Sequence, residues 1–261
     1  MDAALIEKLG GELFSALQER RTVAPLTARH PEITIGDAYR ISLHFLEARK
    51  QSGERVIGKK IGVTSKPVQR ALDVHQPDFG YLTDRMKYRD GSDMDISTRL
   101  IQPRAEGEIA FVLKRRLRGP GVSAADALAA TDHVLPCFEI VDSRIENWRI
   151  RIQDTVADNA SSGLFVVGTS PVLPERVDFV TCGMMVEKNE EIISTGAGAA
   201  ALGSPLNCVA WLANTLGEYG VSLEPGEVIL SGSLVPLEPV VAGDRMRATI
   251  GTIGTVSVQF T

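Results

Sequence analysis

Glu106 and Glu108 stand two residues apart in the run Arg104-Ala105-Glu106-Gly107-Glu108-Ile109-Ala110-Phe111-Val112-Leu113. If that run is extended, both carboxylates leave one face while Ile109, Phe111 and Leu113 leave the other. Two carboxylates held that close repel unless a proton, a basic side chain or a cation sits between them. Glu139, inside a second apolar run from Val134 to Val141, can supply a third oxygen. An all-oxygen set suits a hard cation, Mg²⁺ or Mn²⁺, with positions left for water and substrate. The plainer alternative is the solvated side of a half-buried strand. Against it, the residues after Glu108 are apolar on both faces, as in a buried strand where free carboxylates are costly.

Three other stretches have residue types suited to chemistry. Lys59 and Lys60 lie between Gly58 and Gly62, where glycine lets backbone approach a ligand and alternation turns only one lysine inward. A solvated lysine pair in a turn is the alternative. Asp78, in the polar loop His75-Gln76-Pro77-Asp78-Phe79-Gly80, is a candidate acid or base or else a turn residue after proline. Ser161, in the polar stretch from Asp154 to Gly163, suits a pocket wall or a capped turn. Ser231-Gly232-Ser233 follows an apolar strand-like run and can cradle a carboxylate.

The bulk properties bound what these residues serve. A chain of 261 residues with 44% apolar content can bury a sizeable core. A net charge of −5 argues against a nucleic-acid surface, which needs clustered Lys and Arg. The acidic start, Met1-Asp2-Ala3-Ala4, is unlike a signal peptide, and no apolar run reaches membrane-spanning length, so a cytoplasmic protein off the membrane is expected. Cys137, Cys182 and Cys208 are widely spaced, which fits buried thiols rather than disulfides or zinc. Gly196-Ala197-Gly198 lacks the strand-to-helix fingerprint of a dinucleotide site.

The elements that position the candidates follow from periodicity. Leu5, Leu9, Leu13 and Leu17 predict a first helix ending near Arg21, and Thr34 with Asp37 predicts a capping box opening a second. Residues 55–58 read as a short strand, and Ser65 or Thr64 can cap a short helix through Leu72. Beyond Ile96, apolar runs at 108–113, 134–141, 163–168, 180–187, 227–231 and 245–260 predict strands, with a hairpin turn at Asn189-Glu190. Two helices interrupt them, one after Ser123 and one with Ser204 as cap and Pro205 in its first position. The expected class is α+β: residues 1–94 a helical portion contributing to the site, and 95–261 a mostly β catalytic domain.

With these residues in place, the chain resembles the 2-hydroxypenta-2,4-dienoate (2-oxopent-4-enoate) hydratases of meta-cleavage aromatic degradation, within the fumarylacetoacetate hydrolase superfamily. Residues 56–65, His75-Gln76-Pro77-Asp78-Phe79-Gly80, Gln102–Ile109, Val141-Asp142-Ser143-Arg144 and 154–161 carry the likeness. It implies a mixed-β roll core, a divalent cation on Glu106, Glu108 and Glu139, a pocket with Lys60 and Asp78, a small 2-oxo or 2-hydroxy-dienoate substrate, and a homo-oligomer. The sister 4-oxalocrotonate (2-oxo-3-hexenedioate) decarboxylases are the near alternative, with a non-catalytic partner subunit of such a decarboxylase a second. A C–C hydrolase would need a His–Glu pair to activate water, and the N-terminal candidate, His44 with Glu47, falls inside the second helix. For the hydratase, Phe79, Tyr81 and Leu82 are expected to wall the substrate's far end, with His75 the nearest base and no second cation.

Overall fold

The structure is a computed structural model, and it describes residues 1–71 and 74–261. Helices come first. Helix α1 (Ala3–Glu19) is capped by Asp2, which accepts from the Leu5 amide, and buries Ile6, Leu9 and Leu13. After α2 (Leu26–Arg29), helix α3 (Ile35–Gln51) opens on a capping box in which Thr34 and Asp37 exchange hydrogen bonds. It buries Ala38, Ile41 and Phe45. Helix α4 (Lys66–Ala71) follows Ser65, whose hydroxyl accepts from the Val68 amide; its expected end at Leu72 lies outside the described residues.

The strands in chain order are β1 (Val56–Gly62), β2 (Asp78–Thr83), β3 (Lys87–Arg89), β4 (Asp93–Met94), β5 (Arg104–Leu113), β6 (Thr131–Val141) and β7 (Ser162–Val167). Then come β8 (Gly183–Lys188), β9 (Glu191–Ala197), β10 (Val228–Leu230), β11 (Glu238–Pro239), β12 (Arg245–Ile250) and β13 (Gly254–Phe260). Between them lie helices α5 (Ala124–Ala130), α6 (Ile152–Ala157) and α7 (Pro205–Glu218). Every strand expected after Ile96 is present. Asn189 and Glu190 make the β8–β9 turn at φ 53° and 72°, the left-handed geometry that two-residue hairpins require.

One eight-stranded sheet runs β2-β1-β10-β5-β6-β7-β3, with β11 on the edge of β5, and β1 pairs in parallel with β10. A five-stranded sheet runs β4-β13-β12-β8-β9. The fold is therefore α+β with a mixed, curled sheet. Because β1 and β2 belong to the same sheet as β5 to β7, the expected division at 94/95 does not separate two cores: both parts share one. Only the helices before residue 55 form a separate layer.

Register decides what each face of the large sheet carries. Lys60 lies opposite Gly80 and Leu230, Gly62 opposite Asp78, Glu106 opposite Glu139, and Glu108 opposite Cys137. Alternation therefore collects Lys60, Asp78, Glu106, Glu108 and Glu139 on one face. Further along that face Leu82, Ala110, Leu135, Phe165 and Leu230 form a separate apolar cluster. The opposite face, with Ile61, Phe79, Ile109, Phe111 and Phe138, packs into the main core with α1, α3, α7 and the second sheet. One face is thus apolar at one end and carboxylate-bearing at the other.

Candidate metal centre and substrate cavity

Glu106, Glu108 and Glu139 each offer an oxygen, and these atoms all lie within 4.8 Å of one another. Glu108 and Glu139 are fully buried and Glu106 is 9% exposed. Glu108 Oε2 accepts from the Gly232 amide at 2.7 Å, but Oε1 of Glu108 and both oxygens of Glu139 have no hydrogen-bond donor. Buried carboxylate oxygens without donors are rare and costly. Their convergence fits a divalent cation, whose oxygen ligands these atoms would be.

Lys60 is 2% exposed, and its Nζ lies 3.3 Å from Glu139 Oε1. Burial disfavours its charge, but Glu139, Asp78, Glu106 and Glu108 outweigh that and push its pKa up. Burial also raises the carboxylates, with mutual repulsion adding to it: Glu106 is raised, Glu108 raised well above the usual range, and Glu139 pushed up to about 8. Asp78, 3% exposed, has Oδ1 without a donor. A Cβ on Gly62 would stand 2.3 Å from Asp78 Oδ1 and 3.2 Å from Lys60 Nζ, so the lysine and the aspartate share the space that glycine leaves.

Strand alternation separates the two lysines. Lys60 faces the carboxylates, whereas Lys59 leaves the other face and reaches Glu227, at 2.5 and 2.6 Å. Neither lies in a turn. Asp78 likewise opens strand β2 instead of ending a loop, because its partner across the ladder is Gly62.

The site opens into a cavity of about 560 Å³ lined by Lys60, Asp78, Arg104, Glu106, Ser161 and Ser233, among others. Ser161 comes from a turn in which Asn159, Ala160 and Ser161 all have φ near +50°. Such backbone persists only when its surroundings hold it. Asn159 bonds both the amide and the carbonyl of Tyr81, fastening the turn to β2. Arg144, fully buried, donates to the Asp158 carboxylate and to the carbonyls of Asp158 and Ser162. Burial pushes Asp158 up to about 6 despite that partner.

Several expectations are corrected. At residues 231–233 both hydroxyls donate within the protein, Ser231 to the Ile109 carbonyl and Ser233 to the Val235 carbonyl, the Gly232 amide is used on Glu108, and of the three only Ser233 lines the cavity. Gly232 sits at φ +90°, which turns that amide toward the carboxylate. Phe79 and Tyr81 do not wall the cavity, because alternation sends them to the far face, where the Phe79 ring packs on Tyr39 and the Tyr81 hydroxyl hydrogen-bonds the Tyr39 hydroxyl. Leu82 lies in the apolar cluster, and the wall comes from Val63, Val68, Val141, Ile150, Leu234 and Val235. A second cation is present after all: Arg104 lines the cavity. Its signal was in the sequence, since period two puts residue 104 on the face of 106 and 108. Trp148, which lies beneath it, had none. His44 and Glu47 are exposed on α3, and Glu47 pairs with Lys50, so they offer no water-activating pair at this cavity.

A curled mixed sheet thus holds a buried trio of glutamates beside a lysine, an arrangement suited to an enzyme that works with a divalent cation. The chain belongs to the fumarylacetoacetate (FAA) hydrolase family, matching its C-terminal region over residues 48–261. A 2-hydroxypent-2,4-dienoate hydratase of Pseudomonas putida is 67% identical over 222 residues, 85% of this chain and 100% of the relative. A 2-hydroxyhexa-2,4-dienoate hydratase of Comamonas testosteroni is 59% identical over 261 residues, 100% of this chain and 99% of the relative. Among solved structures, 4-oxalocrotonate decarboxylase from Pseudomonas putida G7, complexed with magnesium and adipate, superposes with TM-score 0.97 at 36% identity, covering 100% and 99% of the two chains.

Proposed function

We propose that this chain is a hydro-lyase adding water to 2-hydroxypenta-2,4-dienoate to give 4-hydroxy-2-oxopentanoate in meta-cleavage aromatic catabolism. The observation that carries it is the buried, converging carboxylate trio, with donorless oxygens on Glu108 and Glu139, beside Lys60 and Asp78, in a chain 59–67% identical to hydratases of dienoates. A divalent cation, Mg²⁺ or Mn²⁺, held by Glu106, Glu108 and Glu139 would supply Lewis acidity to the carboxylate and 2-oxo oxygens of the substrate.

The chain's own residues supply the rest. Lys60, kept charged by four carboxylates, holds the negative charge that builds on the 2-oxygen. Asp78 presents a donorless oxygen into the same space and serves as the acid or base that moves protons between carbon and water. Protonation at C5 leaves a conjugated ketone, and its C4 then accepts water while C3 gains a proton. Ser161 and Ser233 lie on the cavity wall within the substrate's surroundings. The aliphatic wall suits the uncharged end of a five-carbon dienoate and keeps bulk water from the reacting carbons.

The decarboxylase alternative keeps one observation on its side, the cation Arg104 in the cavity wall. Product analysis with Mg²⁺ or Mn²⁺ supplied separates the two. Hydration of 2-hydroxypenta-2,4-dienoate is expected, and CO₂ release from 2-oxo-3-hexenedioate without hydration would overturn it. Turnover by the purified chain alone excludes a non-catalytic partner of a decarboxylase. The same proposal has the chain working as a cytoplasmic homo-oligomer, alone or bound to a pathway decarboxylase; among the described residues no helix is long and apolar enough to cross a membrane. Sedimentation with and without the decarboxylase reads the assembly.

A further inference from the structure

Away from the glutamates, a second cavity of about 190 Å³ lies where the helical layer meets the large sheet. Arg20, Arg49, Arg85 and Arg99 all line it, and Glu54 is the one carboxylate among its lining residues. The four arginines come from separate segments: the end of α1, the last turn of α3, the turn after β2 and the loop before β5. Glu54 is spent on the buried Arg49, accepting from its Nε at 3.0 Å and its Nη2 at 2.8 Å, and on the Thr83 hydroxyl. The other three are held by neutral acceptors: Arg20 by the Ser97 carbonyl, Arg85 by the Ser52 carbonyl, and Arg99 by the Arg85 carbonyl and the Tyr88 hydroxyl. Asp95, close enough to Arg20 and Arg99 to feel their charge, is outside the lining and turns its carboxylate to the amide and hydroxyl of Thr98. A guanidinium has more N–H donors than these bonds use. Among the described residues, Nη1 of Arg49 donates to no protein group.

We propose that this cavity is a binding site for a small dianionic oxyanion, either free phosphate or the phosphate group of a small ester, separate from the catalytic cavity. Four guanidiniums against one carboxylate repel one another, and an anion among them removes that cost. Part of the arrangement has a plainer cause, since Arg20 and Arg49 stand at the C-terminal ends of α1 and α3, where the helix dipole favours a cation. That effect amounts to about half a charge per helix, and it leaves Arg85 and Arg99 unexplained. Donors arriving from four segments suit the four oxygens of a tetrahedral anion better than the two of a planar carboxylate, and arginine is the side chain that matches phosphate oxygens. The cavity is several times a water's share of about 30 Å³, so the anion fits with part of its hydration.

Calorimetric titration of the Mg²⁺-loaded protein with inorganic phosphate and with acetate, at one ionic strength, tests this. Phosphate is expected to bind about tenfold tighter than acetate or more, and Arg20→Met and Arg99→Met are each expected to weaken phosphate about tenfold. Arg115→Met is the control: that arginine is exposed and also holds only a carbonyl, but lies outside the cavity, so its loss should change nothing. If Arg99→Met unfolds the chain, the exposed Arg85→Met must show the same weakening. Absence of phosphate binding would overturn the site. So would an affinity unchanged in the cavity variants, which would move the anion to the glutamate cavity, or an equal loss in Arg115→Met, which would reduce the effect to general charge. Glycerol 3-phosphate run beside inorganic phosphate names the source: tighter binding of the ester assigns the site to a phosphorylated metabolite, and tighter binding of the free ion assigns it to phosphate itself.

Discussion

Lys59 and Lys60 are neighbours on opposite faces of β1, and the difference in duty proposed for them is measurable. Replacing Lys60 with Met should cut turnover by about a hundredfold or more, since it removes the cation facing the developing charge. Lys59→Met should leave turnover close to normal but lower the melting temperature, because it strands the Glu227 carboxylate that Lys59 holds. Equal losses of activity at both positions would contradict the assignment. The glutamates give a pH signature of their own. Burial pushes the Glu139 carboxyl up to about 8, so a cation taking the proposed place there must displace a proton at lower pH. Mg²⁺ affinity should therefore rise with pH, by about tenfold per unit for each proton displaced. The sign for stability is opposite: a carboxyl raised from 4.5 stabilises the metal-free fold below that pH and loses this contribution as pH climbs through about 8. Melting curves across pH 5–9, with chelator and with Mg²⁺, should diverge most at the alkaline end. A constant gap would show that these carboxyls are not the metal's competitors for protons.

Among the elements, those with a period were legible and those defined by a partner were not. The helices α1 and α3 follow from leucine spacing and the Thr34–Asp37 box, and β5 to β8 from unbroken apolar runs. In the sequence, strand β2 has the character of a polar loop because Pro77, Asp78 and Gly80 are turn formers. What makes it a strand is the ladder to β1 and the Asn159 side chain that bonds Tyr81, both distant in sequence. Helix α6, six residues long, has too few turns for a periodic signal. The trio of glutamates was legible in part. Glu106 and Glu108 share a face by period two, but their meeting with Glu139 depends on the β5–β6 register, which no local pattern states. Asn159→Ala should detach the 159–161 turn from β2. We expect a loss of about 1–3 kcal/mol in denaturant unfolding together with a raised KM, since Ser161 rides on the same turn. Unchanged KM would mean that the turn does not position substrate.

At the scale of the molecule, one buried ion pair ties the site to the helical layer. Arg144 binds Asp158 with both side chains wholly buried, and its guanidinium lies 5.5 Å from the ring of Phe45 on α3. Asp158→Asn would remove the carboxylate that Arg144 pairs with directly, at a cost of roughly 3–5 kcal/mol. The melting temperature should fall by on the order of 10 °C; a fall of a degree or two would show that water reaches the pair. The parallel pairing of β1 with β10 has a consequence of another kind. Strand β10 lies between β1 and β5, so residues 228–230 fill a gap that residues 58–60 and 110–112 leave open. During synthesis those two flanking strands leave the ribosome long before the strand that joins them, and each exposes an unpaired edge in the interval. The nascent protein therefore passes through a period when its own central sheet is split and adhesive. A chain halted after residue 226 should accumulate in aggregates or on chaperones, and the completed chain should refold slowly, with metal affinity appearing only when the last gap in the sheet closes.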